Sequence, residues 1–282
     1  MRRLIAIGSV TGAPGVTTTA LLLAALWPRQ ADGGIRPVVV EADASGGDLM
    51  IRFGLPPSPS LLDVAATAVQ PYPGSLLGAV SELPFGVRAV VSVPGHGPCR
   101  QAVRLMTGEA GRRVLRGEDG DVGTVLLDLG RLGEDVTPLM ETADHLVVVA
   151  RGGAEPLTHV SGYGLDAGTY TGRLTLAVVG PCPYRAEEIA GTLGIEHVVF
   201  LPWDARNVAA LSGPGRGTWR SRTGFRTPPL VTAVETLARR LASAGESGAA
   251  AGAQAAGSVE AEAAGRGRMA LAQVPGDEGI AS

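Results

Sequence analysis

The 282-residue sequence contains no lysine, and all 24 of its basic residues are arginines. No step of its chemistry can therefore use a lysine amine. The formal net charge is −3, and no stretch gathers the block of basic residues that is typical of a nucleic-acid-binding surface. The segment most similar to such a block is glycine-rich and is more typical of a solvated loop. It carries Arg216, Arg220, Arg222 and Arg226.

Cysteine is also scarce, since the chain has only Cys99 and Cys182 and neither belongs to a CxxC pattern. Two isolated thiols favour a reducing compartment over secretion. The apolar stretch near the N-terminus, residues 4–7, is too short for a signal peptide or a membrane span. We therefore expect a cytoplasmic protein without a membrane-targeting helix.

Short β-branched runs alternate with helix-like segments along residues 1–242. The runs are mostly continuously apolar, as is typical of strands that are buried on both faces of a parallel sheet. Candidate strands are 4–10, 37–41, 87–93, 124–129, 145–150, 174–179 and 197–201, and helix-like segments are 17–26, 101–115, 138–143, 186–193 and 229–241. This alternation predicts a doubly wound α/β fold with a mostly parallel sheet and helices on both faces. Ligands bind such folds beyond the carboxyl ends of the strands.

Residues 243–282 differ in composition from the rest of the chain. They are mostly Ala, Gly, Ser and Glu, without any aromatic residue, which predicts a disordered tail. Five acidic residues against two arginines give this segment the same net charge as the whole chain. The part before it is therefore close to neutral, and the tail serves either as a solvating segment or as an acidic partner-binding one.

A glycine-containing loop, residues 8–19, joins the first predicted strand to the first predicted helix. Glycines allow the backbone to approach a ligand closely, and the N–H groups at a helix N-terminus favour an anion. Thr17 lies where a hydroxyl would contact a Mg²⁺ ion bound to a nucleotide. The segment therefore predicts a phosphate-binding loop.

This loop resembles that of the MinD/ParA family of deviant P-loop ATPases, which includes pilus- and secretion-associated members often labelled CpaE or TadZ. The family loop reads roughly Lys-Gly-Gly-x-Gly-Lys-Thr-Thr. The resemblance extends over about residues 3–240 and implies a P-loop three-layer sandwich that binds ATP and Mg²⁺. The nucleotide-binding positions that it implies are Gly12, Ala13, Pro14, Gly15, Val16, Thr17, Thr18, Pro202 and Asp204.

The same resemblance places Thr11 and Val16 at the two lysines of the family loop. The first lysine would neutralise charge across a nucleotide-sandwich dimer, and the second would bridge the β- and γ-phosphates. Neither threonine nor valine can supply that charge, so we expect weak or absent ATP hydrolysis. Arg131 and Arg151 follow predicted strand ends, where an arginine would be able to substitute.

Two carboxylates resemble further landmarks of the family. Asp43, at the end of the second strand, matches the residue that orients the attacking water, and Asp128 matches the Walker B carboxylate that holds Mg²⁺ or its water shell. The resemblance thus implies a metal site of Thr17, Asp43 and Asp128. From the residues alone, Asp43 also fits an ordinary turn, and Asp48 fits a helix N-cap.

The segment 201–206 resembles the family loop that borders the adenine. Trp203 would either stack on the base or anchor this loop to the core.

Two other functions on the same scaffold are alternatives to a MinD/ParA-like ATPase. A nitrogenase iron protein is excluded because no cysteine follows the strand of Asp128, and a synthetase of the dethiobiotin type would have only His96, in a loop that is expected to be exposed.

The resemblance leaves two principal functions. One is a positioning or assembly factor that binds ATP with Mg²⁺ and hydrolyses it weakly or not at all. The other is a functional ATPase of the partition, septum-site or pilus-secretion type that uses atypical P-loop residues. Both imply protein partners in secretion, pilus or partition machinery, with a homodimer as a further expectation.

Overall fold

The computed structural model describes residues 1–12, 15–70, 75–165, 167–212 and 227–244. Residues Met1–Leu241 form one compact unit. Three sequence-based predictions fall on other residues: the loop positions Ala13 and Pro14, the arginine-containing segment 213–226, and the predicted tail from residue 245 onward lie outside the described residues.

The strands are β1 (Arg3–Ser9), β2 (Val38–Glu41), β3 (Ser81–Leu83), β4 (Val87–Val90), β5 (Thr124–Arg131), β6 (His145–Arg151), β7 (Leu174–Val179) and β8 (His197–Leu201). They form one eight-stranded sheet in the order β3-β4-β2-β5-β1-β6-β7-β8. Neighbouring strands pair in parallel except for β3, which runs antiparallel to β4.

The α-helices are α1 (Val16–Ala25), α2 (Leu49–Phe53), α3 (Leu61–Ala68), α4 (His96–Thr107), α5 (Glu109–Arg116), α6 (Thr137–Thr142), α7 (Ala154–Gly162), α8 (Ala167–Tyr170), α9 (Ala186–Leu193), α10 (Ala205–Ser212) and α11 (residues 229–244). Short 3-10 segments lie at Ala31–Gly34, Leu76–Ala79 and Pro84–Gly86. No helix in the described parts of the chain combines the length and the apolar character that crossing a membrane requires.

The predicted doubly wound α/β fold is confirmed. Each of the seven predicted strands is present, because continuous apolar runs such as those of β1 and β5 are buried along almost their whole length. Such burial on both faces is what a central parallel strand requires. Strand β3 was not predicted, because it has three residues and only one buried side chain and so carries almost no apolar pattern.

The single helix predicted over 101–115 is wrong, because the structure has two helices there. Gly108 lies between α4 and α5 with an extended backbone, φ −67° and ψ 166°. Gly111 then packs directly on the end of α4, where an added Cβ would lie 2.4 Å from the Cα of Met106. The glycines let α5 turn sharply against α4, which hydrophobic periodicity does not reveal.

The order of the strands places the predicted site at the centre of the sheet. Strand β5 lies between β1 and β2, and Asp128 is in register with Ile7 on one side and with Glu41 on the other. Because these strands are parallel, the segments that follow them meet at one edge of the sheet. These segments are the loop before α1, residues 42–48, and residues 130–135.

Candidate functional site

The loop after β1 turns the chain into α1 through two glycines with left-handed backbone conformations. Gly12 has φ +68° and Gly15 has φ +118°, values at which a side chain would be strained. Within the described residues, Gly15 at the N-cap provides no side-chain cap for α1, and no acidic residue lies in the first turn. The positive end of the helix dipole therefore suits an anion at the first N–H groups of α1.

The position that matches the P-loop lysine is part of the core. Val16 is only 5% exposed, so its side chain contributes packing where the family loop has a charge. Thr17 and Thr18 are half-buried, Thr19 is buried, and Thr11 is exposed. The described part of the loop thus offers backbone N–H groups and hydroxyls, but no positive side chain of its own.

Asp128 lies near the carboxyl end of β5, between β1 and β2. Its side chain is buried, and Oδ1 accepts a hydrogen bond of 3.2 Å from the Gly130 N–H. Oδ2 is also buried and accepts no hydrogen bond of normal geometry from a described residue. Burial raises the pKa of Asp128 to about 7, with the nearby Thr17 side chain opposing this rise and the charges of Glu41 and Asp43 reinforcing it.

Asp43 lies beside Asp128 and also belongs to a turn. Its Oδ1 accepts hydrogen bonds from the Ser45 N–H at 2.8 Å and from the Ser45 Oγ at 2.6 Å. Its carboxylate lies against Gly130, where an added Cβ would be 1.9 Å from Oδ2. The structure therefore brings Thr17, Asp43 and Asp128 together. Asp43 both stabilises a turn and lies at the candidate site, so the two interpretations of this residue are compatible.

Glu41 is a further carboxylate at this site and was not predicted from the sequence. It is 2% exposed. Its Oε1 accepts hydrogen bonds from the N–H groups of Asp48 and Leu49, and its Oε2 accepts one from the N–H of Ser92. Burial raises the pKa of Glu41, although these backbone donors oppose the rise. A single acidic residue ending an apolar run was the available signal.

Glu41 also changes the interpretation of Asp48. Asp48 does stand at the N-cap position of α2, as predicted, but its side chain makes no cap hydrogen bond. It forms an ion pair with Arg52 instead. The first N–H groups of this short helix are bound by Glu41, because the strand end delivers a longer side chain directly beneath them.

We expect Glu41→Ala to lower the free energy of unfolding by about 3 kcal/mol, since a buried donor left unsatisfied costs about 1–3 kcal/mol. Urea denaturation measures this loss. Glu82→Ala, which removes an exposed carboxylate on β3, serves as the control and should change stability little. Equal stability of the two variants would show that Glu41 does not hold these segments together.

Cys99 lies in the first turn of α4 and is buried. Its Sγ accepts a hydrogen bond of 3.2 Å from the Gly47 N–H and donates one of 3.1 Å to the Val93 carbonyl. Burial raises the pKa of the Cys99 thiol. The thiol therefore joins α4 to the segment that follows β2.

The predicted adenine-bordering loop follows β8, three strands away from β1 in the sheet. Trp203 is 61% exposed, so the alternative in which it anchors the loop to the core is wrong. Pro202 is exposed as well. The carboxylate of Asp204 accepts hydrogen bonds from the backbone and the side chain of Asn207, so Asp204 caps the N-terminus of α10. Although burial opposes the change, these donors lower the pKa of Asp204.

The oxygen donors of the site fit a magnesium ion that also binds phosphate. No group of three His, Cys, Asp or Glu side chains in the described residues could hold a metal ion unaided. Mg²⁺, however, usually takes one or two carboxylates together with phosphate oxygens and water. The unpartnered Oδ2 of Asp128 and the nearby hydroxyl of Thr17 suit that arrangement.

One arginine approaches the loop. Arg131 ends β5 in register with Ser9, and its Cδ lies 3.8 Å from the place that a Cβ on Gly12 would occupy. Arg151 is similarly exposed at the end of β6, but its register partner is Val179 on β7. His96 is exposed, as predicted.

A surface groove of about 340 Å³ lies elsewhere, between α7 and α9. Its walls are mostly apolar and include Leu157, Tyr184, Ile189 and Leu193. None of the carboxylates described above lines it, so the groove is separate from the chemistry of the loop.

No protein-family model and no curated protein sequence matches this chain. Solved structures do match it. The cell division ATPase MinD of Pyrococcus furiosus aligns with a TM-score of 0.63 and 17% identity, over 86% of this chain and 98% of that one. MinD of Pyrococcus horikoshii, complexed with Mg-ADP, gives 0.62 and 17%, over 86% and 96%.

A ParA family ATPase from Chlorobium tepidum aligns with a TM-score of 0.59 and 16% identity, over 84% of this chain and 99% of that one. At such low identity the likeness establishes the fold. It agrees with the eight-stranded, mostly parallel sheet and with the glycine loop between β1 and α1. The chain therefore has the P-loop α/β fold of the MinD and ParA ATPases, as the resemblance in its sequence implied.

Proposed function

We propose that this protein is a MinD/ParA-like positioning or assembly factor that binds ATP with Mg²⁺ and hydrolyses it weakly or not at all. The observation that carries the proposal is the buried carboxylate of Asp128, whose Oδ2 accepts no hydrogen bond of normal geometry from a described residue and which interacts with the Thr17 side chain in the first turn of α1. A buried carboxylate oxygen without a donor is costly unless a cation or a proton neutralises it. The Mg-ADP bound to the MinD of Pyrococcus horikoshii supports this ligand class.

Each group in the site has a distinct part in binding. The N–H groups of Gly15 and the first turn of α1 would contact phosphate oxygens, and Thr17 and Asp128 would hold Mg²⁺ directly or through water. Mg²⁺ supplies the charge that neutralises the phosphates. Asp43, which lies against Gly130 at the edge of the cluster, would orient the attacking water.

Weak turnover follows from the missing cations. The chain has no lysine, and the buried side chain of Val16 occupies the position that would contact the β- and γ-phosphates. Removing one preorganised charge of this kind typically lowers the rate by about 10²–10³-fold. Bound nucleotide would then stabilise one conformation of the protein instead of driving rapid cycles of ATP binding and hydrolysis.

The biological setting is also a proposal. The solved structures with this fold include a cell division ATPase and a protein assigned to plasmid partition, which supports a role in cell division or partition. A related pilus-secretion machinery is a further candidate setting that rests on the resemblance in the sequence alone. The protein would act there through protein partners, and through a homodimer. The two free cysteines are consistent with a cytoplasmic location.

A thermal-shift titration of the full-length chain with ATP and Mg²⁺ tests nucleotide binding. A ligand at 100 times its Kd adds about 2.7 kcal/mol to the free energy of unfolding, which raises Tm by several degrees. Thr17→Ala should remove most of the Mg²⁺-dependent rise in Tm. Thr158→Ala, which changes an exposed threonine on α7, should leave that rise unchanged. The absence of any shift in the wild type at millimolar nucleotide would overturn the proposal.

Phosphate release separates weak turnover from the alternative of a functional ATPase. We expect nucleotide to bind without rapid release of phosphate. Rapid turnover that Asp43→Ala abolishes would instead establish an ATPase that uses atypical residues, and the nearby Arg131 makes that alternative concrete.

A further inference from the structure

We propose that Arg131 is a cation that binds the β-phosphate of the nucleotide at this site, without replacing the contact with the γ-phosphate that the missing loop lysine would make. The inference rests on the proposed function, because it assumes that the loop holds a nucleotide polyphosphate. It adds a residue from a different part of the chain, at the end of β5.

The backbone holds Arg131 against the loop. Beyond Asp128, the chain shifts register by way of Gly130, so that Arg131 pairs with Ser9 at the end of β1. The Leu132 N–H donates a hydrogen bond of 2.9 Å to the Ser9 carbonyl. The contact is close, since an added Cβ on Gly8 would lie 2.2 Å from Cδ2 of Leu132. The end of β5 is therefore fixed beside the base of the loop.

The Arg131 side chain extends from this anchor towards the loop. Its Cδ lies 3.8 Å from the place that a Cβ on Gly12 would occupy, so the stem of the arginine runs alongside that glycine. Beyond the stem, the side chain is exposed. No carboxylate in the described residues lies within salt-bridge distance of its guanidinium. The charge is available to a ligand.

The charges around it require a cation. Glu41 and Asp43 both act electrostatically on Asp128, and none of the three forms an ion pair with a described arginine. A polyphosphate would add several negative charges beside them. A guanidinium remains charged at any relevant pH, and its planar fork of N–H donors matches two oxygens of one phosphate.

Arg131 is preferred over Arg151 for a geometric reason. Both end central strands and both are exposed. Arg151 is in register with Val179, and it is the Val179 side chain, rather than the Arg151 side chain, that lies 4.0 Å from the place that a Cβ on Gly15 would occupy. Arg131 follows Asp128 by three residues and has its stem beside Gly12. The carboxylate expected to bind the metal and the arginine expected to bind phosphate thus come from one strand.

Isothermal titration of the full-length protein with ATP, ADP and AMP, each with Mg²⁺, tests this role. We expect Arg131→Ala to weaken ATP and ADP binding by about tenfold to a hundredfold, as for the loss of a charge-assisted hydrogen-bond pair. AMP, which lacks the β-phosphate, should lose little affinity. Arg131→Lys should recover part of the loss, and Arg151→Ala should bind all three nucleotides as the wild type does.

The outcomes distinguish this inference from the proposed function. Nucleotide binding that Arg131→Ala leaves unchanged would overturn the role of Arg131 and leave the function standing. Equal losses of nucleotide affinity in Arg131→Ala and Arg151→Ala, or an equal loss of affinity for AMP, would indicate that the general positive charge of the surface matters rather than a contact of Arg131. Either result would also overturn the inference. No binding by the wild type would overturn both. Melting curves of the ligand-free variants should coincide, since both side chains are exposed.

Discussion

Asp128→Asn should stabilise the ligand-free protein above neutral pH by about 4 kcal/mol, the equivalent of a pKa difference of about three at about 1.4 kcal/mol each. Burial raises the pKa of Asp128 to about 7 from 3.8. The folded state therefore holds a proton that the unfolded state releases at lower pH. Asparagine keeps the shape of the side chain and an acceptor for the Gly130 N–H, and it removes the buried charge.

The sign of the pH dependence follows from this difference. Below about pH 4 both states are protonated and the group contributes nothing. Between about pH 4 and pH 7 the unfolded state binds fewer protons than the folded state, so wild-type stability falls as the pH rises. The advantage of Asp128→Asn should grow over this window and stay constant above it.

Melting curves at several pH values measure the effect, which should approach about 10 °C above neutral pH for a domain of this size. Asp119→Asn, at an exposed position, is the control and should give no such pH-dependent difference. If the asparagine variant also responds to ATP and Mg²⁺ as the wild type does, Asp128 is not a metal ligand. A constant difference at all pH values would contradict the raised pKa.

Gly130→Ala should both destabilise the protein and displace Asp43. Gly130 has φ +57°, a conformation that costs about 1–2 kcal/mol for a residue with a Cβ. The new methyl group would lie 1.9 Å from Oδ2 of Asp43, so that this carboxylate must leave its position against the loop. We expect a loss of about 2–4 kcal/mol in total, from backbone strain and from local repacking.

A double-mutant cycle isolates the contact. Asp43→Ala removes the clashing group, so it should be less destabilising in the Gly130→Ala background than in the wild type, or even stabilising. Gly133→Ala is the matched control in the same loop, because an added Cβ there meets nothing within 4 Å. Additive effects of the Gly130 and Asp43 changes would show that the two residues do not touch in solution.

The parts of the fold that the sequence predicted correctly are those with a strong local pattern. Strands β1 and β5 are continuous apolar runs, and the turn into α1 needs glycines at Gly12 and Gly15. The predicted helix at 186–193 matches α9 residue for residue. Short or exposed elements such as β3 carry little of this pattern, and the break at Gly108 depends on how α5 packs on α4.

The site divides in the same way. The segments that carry Thr17, Asp43 and Asp128 were recognisable because each lies at or beyond the carboxyl end of a predicted strand, and parallel strands deliver these ends to one edge of the sheet. That Asp128 lacks a partner for Oδ2 was not recognisable, since burial and hydrogen bonding depend on neighbours from other segments. The same holds for Glu41, whose three donors come from two segments beyond its own strand.

The absence of lysine was evident from composition and established that any cation at the phosphate loop must come from elsewhere in the chain. Both Arg131 and Arg151 were then possible sources, because each follows a strand. Strand order and register distinguish them: β5 pairs with β1 and brings Arg131 to Ser9 and Gly12. Local patterns determine which segments become strands, whereas strand neighbours are set by packing between distant segments, and that packing places a single arginine stem beside Gly12.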